Sequence, residues 1–307
     1  NDLTVRNGSS TSGGGINVSG ALTLSDSRVT GNTSTSFGGG IAASGTVTVT
    51  HSRIDGNQST GGGGIFISFN SALIRNSEIS GNTVTGIGGG VYSSGVLNLV
   101  NSTLSGNIAG DGGGGLAVVE SNNNHLYNVT ISNNTADSDS DDDGDGGGMF
   151  LVGGTTAVNI VVSGNTDNSP SQKRPDCSGT LNSQGYNLIT NITGCNITGT
   201  TTGNLTGVDA ILGPLQNNGG TTHTHALLAG SPAINAGNPG GCRDHNDLLL
   251  GTDQRGFSRP ATGSPLCDMG AYEAGASEAP TPTPTATLVP TIAFTPDHWN
   301  YLPLIQK

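Results

Sequence analysis

Short apolar pairs on alternate residues recur along the chain at a nearly constant interval: Leu22-Thr23-Leu24, Val47-Thr48-Val49, Leu73-Ile74 and Leu97-Asn98-Leu99. Alternation at period two puts every second side chain on one face, which is the patterning of a β-strand. Two further signatures keep step with these pairs. A glycine run followed by an aliphatic residue occurs at Gly15-Ile16, Gly40-Ile41, Gly64-Ile65, Gly90-Val91, Gly115-Leu116 and Gly148-Met149, at spacings of 25, 24, 26, 25 and 33. An aliphatic residue, a small or acidic polar residue and Gly-Asn span Val29 to Asn32, Ile54 to Asn57, Ile79 to Asn82 and Leu104 to Asn107, so these asparagines stand 25 residues apart. The signature continues less strictly at Ile131 to Asn134 and Val162 to Asn165.

One repeat therefore holds three short β segments, beginning near Ile16, Leu22 and Val29 in the first copy. Joined by Gly and Asn corners, they predict an all-β, right-handed parallel β-helix with three short strands per coil of 25 residues. A single coil cannot bury its own apolar face, so the stack supplies the core. Coils about 4.8 Å apart would carry the six or seven repeats before 166 through roughly 30 Å. The asparagines at constant phase are expected to form a ladder of side-chain amides. The expected divisions are regular repeats over 1–165, a disulfide-braced continuation of the β-helix over 166–275, and an extended Pro/Thr-rich tail over 276–307.

The Gly-Gly-Gly-aliphatic and Gly-Asn pattern resembles the repeats of polymorphic outer membrane proteins, which are surface β-helices. That resemblance covers about residues 1–165, and the C-terminal membrane barrel of those proteins has no counterpart in this sequence. Downstream, DCSGTLNSQGYNLIT (176–190), LGPLQNNGGTTHTHALLAGSPAINAGN (212–238) and DQRGFSRPATGSPLCDMGAYE (253–273) together look like the choice-of-anchor Q domain of bacterial surface β-helix proteins. The resemblance implies an exported protein with no catalytic residues to carry over, and a β-helix continuing through less regular, disulfide-braced coils.

Composition sharpens this picture. Glycine accounts for 52 of 307 residues, while only 10% are charged and 4% aromatic, which suits a repetitive β structure rather than a compact globule. A net charge of -12 with ten basic residues argues against nucleic acid as a partner. No apolar run reaches the length of a membrane span. Cys177 and Cys195 bracket one segment and Cys242 and Cys267 another; an even count without a C-x-x-C pair suggests two disulfides, and hence a secreted or cell-surface protein. A zinc site is the competing reading of these cysteines.

For chemistry, the acidic insertion is the metal candidate. Asp139 to Gly144 matches the opening D-x-D-x-D-G of a calcium loop, so Asp139, Asp141, Asp143 and Asp145 are candidate weak Ca²⁺ ligands; Phe150 stands where the loop's bidentate Glu would be. No other cofactor is expected. His223 and His225 lie on one face of a possible strand, where two metal ligands could sit, though polar decoration is the plainer reading. Polysaccharide lyases and hydrolases of this fold class need a carboxylate cluster on one face. Folded at period 25, Arg28, Arg53 and Glu78 share a phase, Arg53 over Glu78 reads as an exposed ion pair, and no phase accumulates several carboxylates.

The first residues are already in strand register, with no amphipathic helix before them, so either the chain is a fragment or another molecule covers that end. In the Pro/Thr-rich tail, Leu288, Val289, Ile292 and Phe294, then Trp299, Tyr301, Leu302 and Leu304, could dock on a neighbour as an added strand. The expected function is thus non-enzymatic and structural: a subunit assembling head-to-tail with copies of itself into an extracellular filament. The alternatives are a monomeric adhesin on a Pro/Thr stalk, with cell-surface glycans as partners, and a polysaccharide lyase or glycoside hydrolase.

Overall fold

A computed structural model describes residues 2–121 and 123–279. The expected assembly residues, from Leu288 to Leu304, lie outside that range. The described chain is all β, wound as a parallel β-solenoid whose strands pair coil to coil. A nine-stranded sheet runs from Thr4–Arg6 to Leu205–Thr206, a seven-stranded sheet of two-residue strands from Ser9–Ser10 to Thr166–Asp167, and a thirteen-stranded sheet gathers the remaining strands of the stack. We refer to these as the first, second and third sheets.

The repeat is a physical one, because equivalent residues are partners in register. Ile41, Ile65, Val91, Leu116, Met149 and Cys177 stack in one fully buried column, as do Val29, Ile54, Ile79, Leu104, Ile131 and Val162. These columns form a single apolar core along the axis. The coil step is 24 residues at the first turn and 25 for the next three, then 27 and 31. The longest step contains the acidic insertion, which leaves the strand register on either side intact.

Each of the first five coils carries four β segments rather than the expected three. The additional one, such as Thr33–Ser34 or Gln58–Ser59, directly follows the Gly-Asn signature and is only two residues long. Coils bend at residues in the left-handed region, as at Asn76 (φ 50°), Gly81 (φ 61°) and Gly88 (φ 73°). That conformation is open to Gly and tolerated by Asn, which explains why these residues punctuate the repeat. The last glycine of each run serves close approach instead: a Cβ on Gly40 would lie 2.6 Å from the Gly64 carbonyl oxygen of the next coil.

The asparagine phase forms the expected ladder. Each amide donates from Nδ2 at 2.9 Å to Oδ1 of the next, through Asn32, Asn57, Asn82, Asn107, Asn134 and Asn165. Each Oδ1 also accepts the backbone N–H of the preceding asparagine. Asp176 ends the column, its Oδ1 accepting from Asn165 Nδ2 at 2.9 Å. Because these side chains are buried, unbroken pairing is what makes their burial tolerable.

The stack ends earlier than the resemblance implies. It runs on past 165 to Thr206, with Cys177–Cys195 bridging adjacent coils, but residues 207–279 are not further coil. They form an antiparallel hairpin, Leu212–Gln216 with Thr224–Leu227, followed by irregular chain with isolated bridges. This segment, here called the strap, folds back over the outward face of the first sheet. Cys242–Cys267 therefore braces the strap and not a coil. The cause is in the sequence: glycine-run and Gly-Asn phases cease, and Pro214, Pro232, Pro239, Pro260 and Pro265 remove ladder donors. A second, small core of Val161, Leu188, Ala210, Leu227, Ala233 and Met269 lies between strap and stack.

Candidate functional sites on the strapped face

The outward positions of the first sheet present a polar column: Arg28, Arg53, Glu78, Thr103 and Thr130. From Glu78 onward the strap consumes it. Glu78 Oε2 accepts the His223 backbone N–H at 2.9 Å, Thr103 Oγ1 donates to Gln254 Oε1 at 2.6 Å, and Thr130 Oγ1 accepts the Ala271 N–H at 3.0 Å. Beside this column, Ser105 Oγ meets His225 Nε2 at 2.8 Å. The Arg53–Glu78 pair forms at 2.8 Å, but Glu78 is fully buried under the strap, so it is not the exposed pair that the sequence suggests.

The strap is itself held by buried charge. Arg259 binds Glu273 at 3.0 Å, donates to Asn101 Oδ1 of the solenoid at 3.0 Å and to the Gly270 carbonyl at 2.9 Å. Arg255 binds Asp253 at 2.6 Å and lies over the Phe257 and Tyr272 rings. Burial pushes the Glu273 carboxyl up, with Arg259 opposing it; burial does the same to Asp268. Asp253, Arg255, Arg259 and Glu273 lie in the aperiodic segment and have no periodic partner that would mark them in the sequence.

Beyond the strap's edge the first coils are open. A groove of about 340 Å³ is lined by Asp2, Asp26, Arg28, His51, Arg53 and Thr221, among others. Asp2, Asp26 and His51 all take left-handed backbone at one corner of successive coils. Two carboxylates therefore do share a phase, contrary to the period-25 reading, because the first coil is one residue short. Arg28 grips Asp55 through two bonds of 2.6 and 2.8 Å, which holds the Asp55 carboxyl below its ordinary range against its own desolvation.

The acidic loop is rearranged relative to the calcium pattern. Asp137, Asp139 and Asp141 bring ligand oxygens within 4.8 Å of one another, and this trio could hold a cation. Asp137 is buried and accepts the Asp141 and Asp142 N–H groups at 3.0 and 3.3 Å. Asp145 instead pairs with Arg174, and Asp143 stays exposed. Burial and the repulsion of Asp141, Asp139, Asp143 and Asp137 together raise the Asp111 carboxyl. His223 and His225 do not converge: His223 rests at Glu78, whereas buried His225 spans Ser105 and the Gly213 carbonyl.

Comparison with protein-family models, curated proteins and solved structures returns no match. Both cysteine pairs are disulfides, which suits an oxidising compartment, and no helix among the described residues is long and apolar enough to cross a membrane.

Proposed function

We propose that the chain is a non-catalytic structural rod of an exported, choice-of-anchor-like surface protein. One observation carries this reading. From Glu78 to Thr130, the polar column on the first sheet's outward face lies under the strap and each of its side chains bonds to it. The polar groups thus serve rigidity. Incubation with a panel of acidic and neutral polysaccharides should release no new reducing ends or unsaturated products; turnover by the intact chain would overturn the reading. Head-to-tail assembly into filaments remains part of the proposal on sequence grounds. It predicts fibres of constant width by electron microscopy that vanish on deleting residues 276–307 while the solenoid stays folded.

The open groove favours a second reading. Asp2 and Asp26 stand on paired backbone one coil apart and both line the groove, and glycoside hydrolysis calls for two such carboxylates at one site. Asp2 and Asp26 are then the pair to test. Asp26→Asn would abolish any polysaccharide cleavage on this reading, whereas the structural reading has no cleavage to lose.

A further inference from the structure

Two histidines 120 positions apart in sequence, His125 and His245, are brought into one neighbourhood where the strap crosses the third sheet. His125 stands on the strand Asn124–Tyr127, in register with Asn98 of the coil before it. The strap is pinned immediately ahead of His245 at two points. The Arg243 carbonyl accepts from Asn128 Nδ2 at 2.8 Å, and Asp244 pairs with Arg75 at 3.1 Å. Arg75 belongs to the coil before Asn98 and Asn128 to the coil of His125. The loop bearing His245 is thereby laid across the rungs of Asn98 and His125.

Three side-chain atoms in this region are buried without a hydrogen-bond partner: Asn98 Oδ1, His125 Nδ1 and His245 Nδ1. Among the described residues one further atom shares that condition, Arg53 Nε, and it lies 2.8 Å from a Glu78 oxygen. Orphaned buried polar atoms are rare and demand a partner. Here the three lone-pair-bearing groups come from two different parts of the chain.

The opposite ring nitrogens are already engaged. His125 Nε2 lies 3.2 Å from Asn123 Oδ1, so Nε2–H donates and Nδ1 keeps its lone pair. That is the arrangement of a metal-ligating imidazole oriented by an outer carbonyl. His245 Nε2 lies 3.2 Å from the Asn246 amide, and exchanging that amide's O and N gives it the same tautomer. His125 and His245 are near enough for the charge of one ring to act on the other.

We propose that Asn98, His125 and His245 bind one borderline divalent transition ion, zinc by preference, which fastens the strap to the solenoid. Two imidazole nitrogens and an amide oxygen suit Zn²⁺ rather than the hard cations that carboxylate loops select.

The test uses the full chain, stripped with chelator and titrated with Zn²⁺ by calorimetry at pH 7.5, with Co²⁺ absorption as a second probe. The expected result is one saturable site per chain, a rise in melting temperature on adding Zn²⁺, and a tetrahedral Co²⁺ spectrum. His125→Ala and His245→Ala should each weaken binding by at least about tenfold. His51→Ala, His298→Ala and the Asp139→Ala/Asp141→Ala pair should leave it unchanged. Because His125 and His245 lie on separate segments, a folding defect in one variant leaves the other to decide. Absence of saturable binding would mean that water fills the site and overturns the proposal; so would binding that survives both histidine changes or is lost with the aspartates.

Discussion

The solenoid and the strap bury polar groups by opposite means. In the solenoid the ladder amides between Asn57 and Asn134 each have an identical neighbour above and below, so one solution is repeated from Asn32 to Asn165. In the strap each buried group has a unique partner: Arg259 with Glu273, Arg255 with Asp253, His225 with Ser105. The repeat makes stability a sum over like interfaces. The strap depends on a few irreplaceable contacts plus one disulfide. The difference teaches that a periodic body can be stiff without being specific, while the specificity of this molecule lies in the aperiodic segment that closes its flank.

The comparison is broken most severely within the ladder. Asn82→Ala removes the acceptor of Asn57 N and Nδ2 and the donor to the Ile54 carbonyl and to Asn107 Oδ1. With four buried groups affected at about 1–3 kcal/mol for each left unpaired, and some relief from relaxation, the expected loss is roughly 4–6 kcal/mol in denaturant unfolding. If that loss proved to be under about 1 kcal/mol, the ladder would be decoration and not structure. Next comes Arg259→Met, which strands the buried Glu273 carboxylate and should cost about 3–5 kcal/mol, confined to the strap. Hydrogen exchange should show strap amides losing protection while Ile54 and Ile79 keep theirs. Replacing Cys242 and Cys267 together by Ala opens a loop of 25 residues and should lower stability by about 2–4 kcal/mol. Resistance of the strap to limited proteolysis is the readout there.

How much of this was legible follows from the same contrast. The coil period, the buried aliphatic columns and the Asn32-to-Asn165 ladder are visible in the chain because repetition multiplies a weak local signal. The two-residue strands such as Thr33–Ser34 were not, since two polar residues carry no alternation. The turn away from the stack after Thr206 was hidden by a resemblance that implies more coil, although the loss of the glycine phase and the prolines marks it. Among candidate site residues, the acidic loop was located but its geometry was not: the trio centres on Asp137, because Asp145 is drawn off by Arg174. Contacts such as Thr103 with Gln254, or the approach of His245 to the rung of His125, join residues more than a hundred positions apart. Nothing periodic points to them, and His223 and His225 attracted the metal reading only because they are close in sequence.

The smallest effect isolates a single proton on the strap. His225 is buried between Ser105 and the Gly213 carbonyl, and desolvation holds its pKa below the ordinary value, with the Gly213 bond and the Glu78 charge opposing the shift. The folded state therefore binds fewer protons at this ring than the unfolded state does. Its contribution to stability is complete above about pH 6.5 and is lost as the pH falls from there toward the folded pKa. His125, also depressed by burial, adds to the same slope, while the raised Asp176, Asp268 and Glu273 carboxyls act with the opposite sign from their ordinary range upward. Between pH 7.5 and 5.5, exchange of the Thr224–Leu227 amides should quicken relative to those of the solenoid core. His225→Gln, which keeps a donor and an acceptor but cannot be protonated, should flatten that pH dependence without steepening it elsewhere. An unchanged slope in the variant would place the acid sensitivity outside the strap, and with it would go the claim that the aperiodic segment is the conditional part of an otherwise unconditional rod.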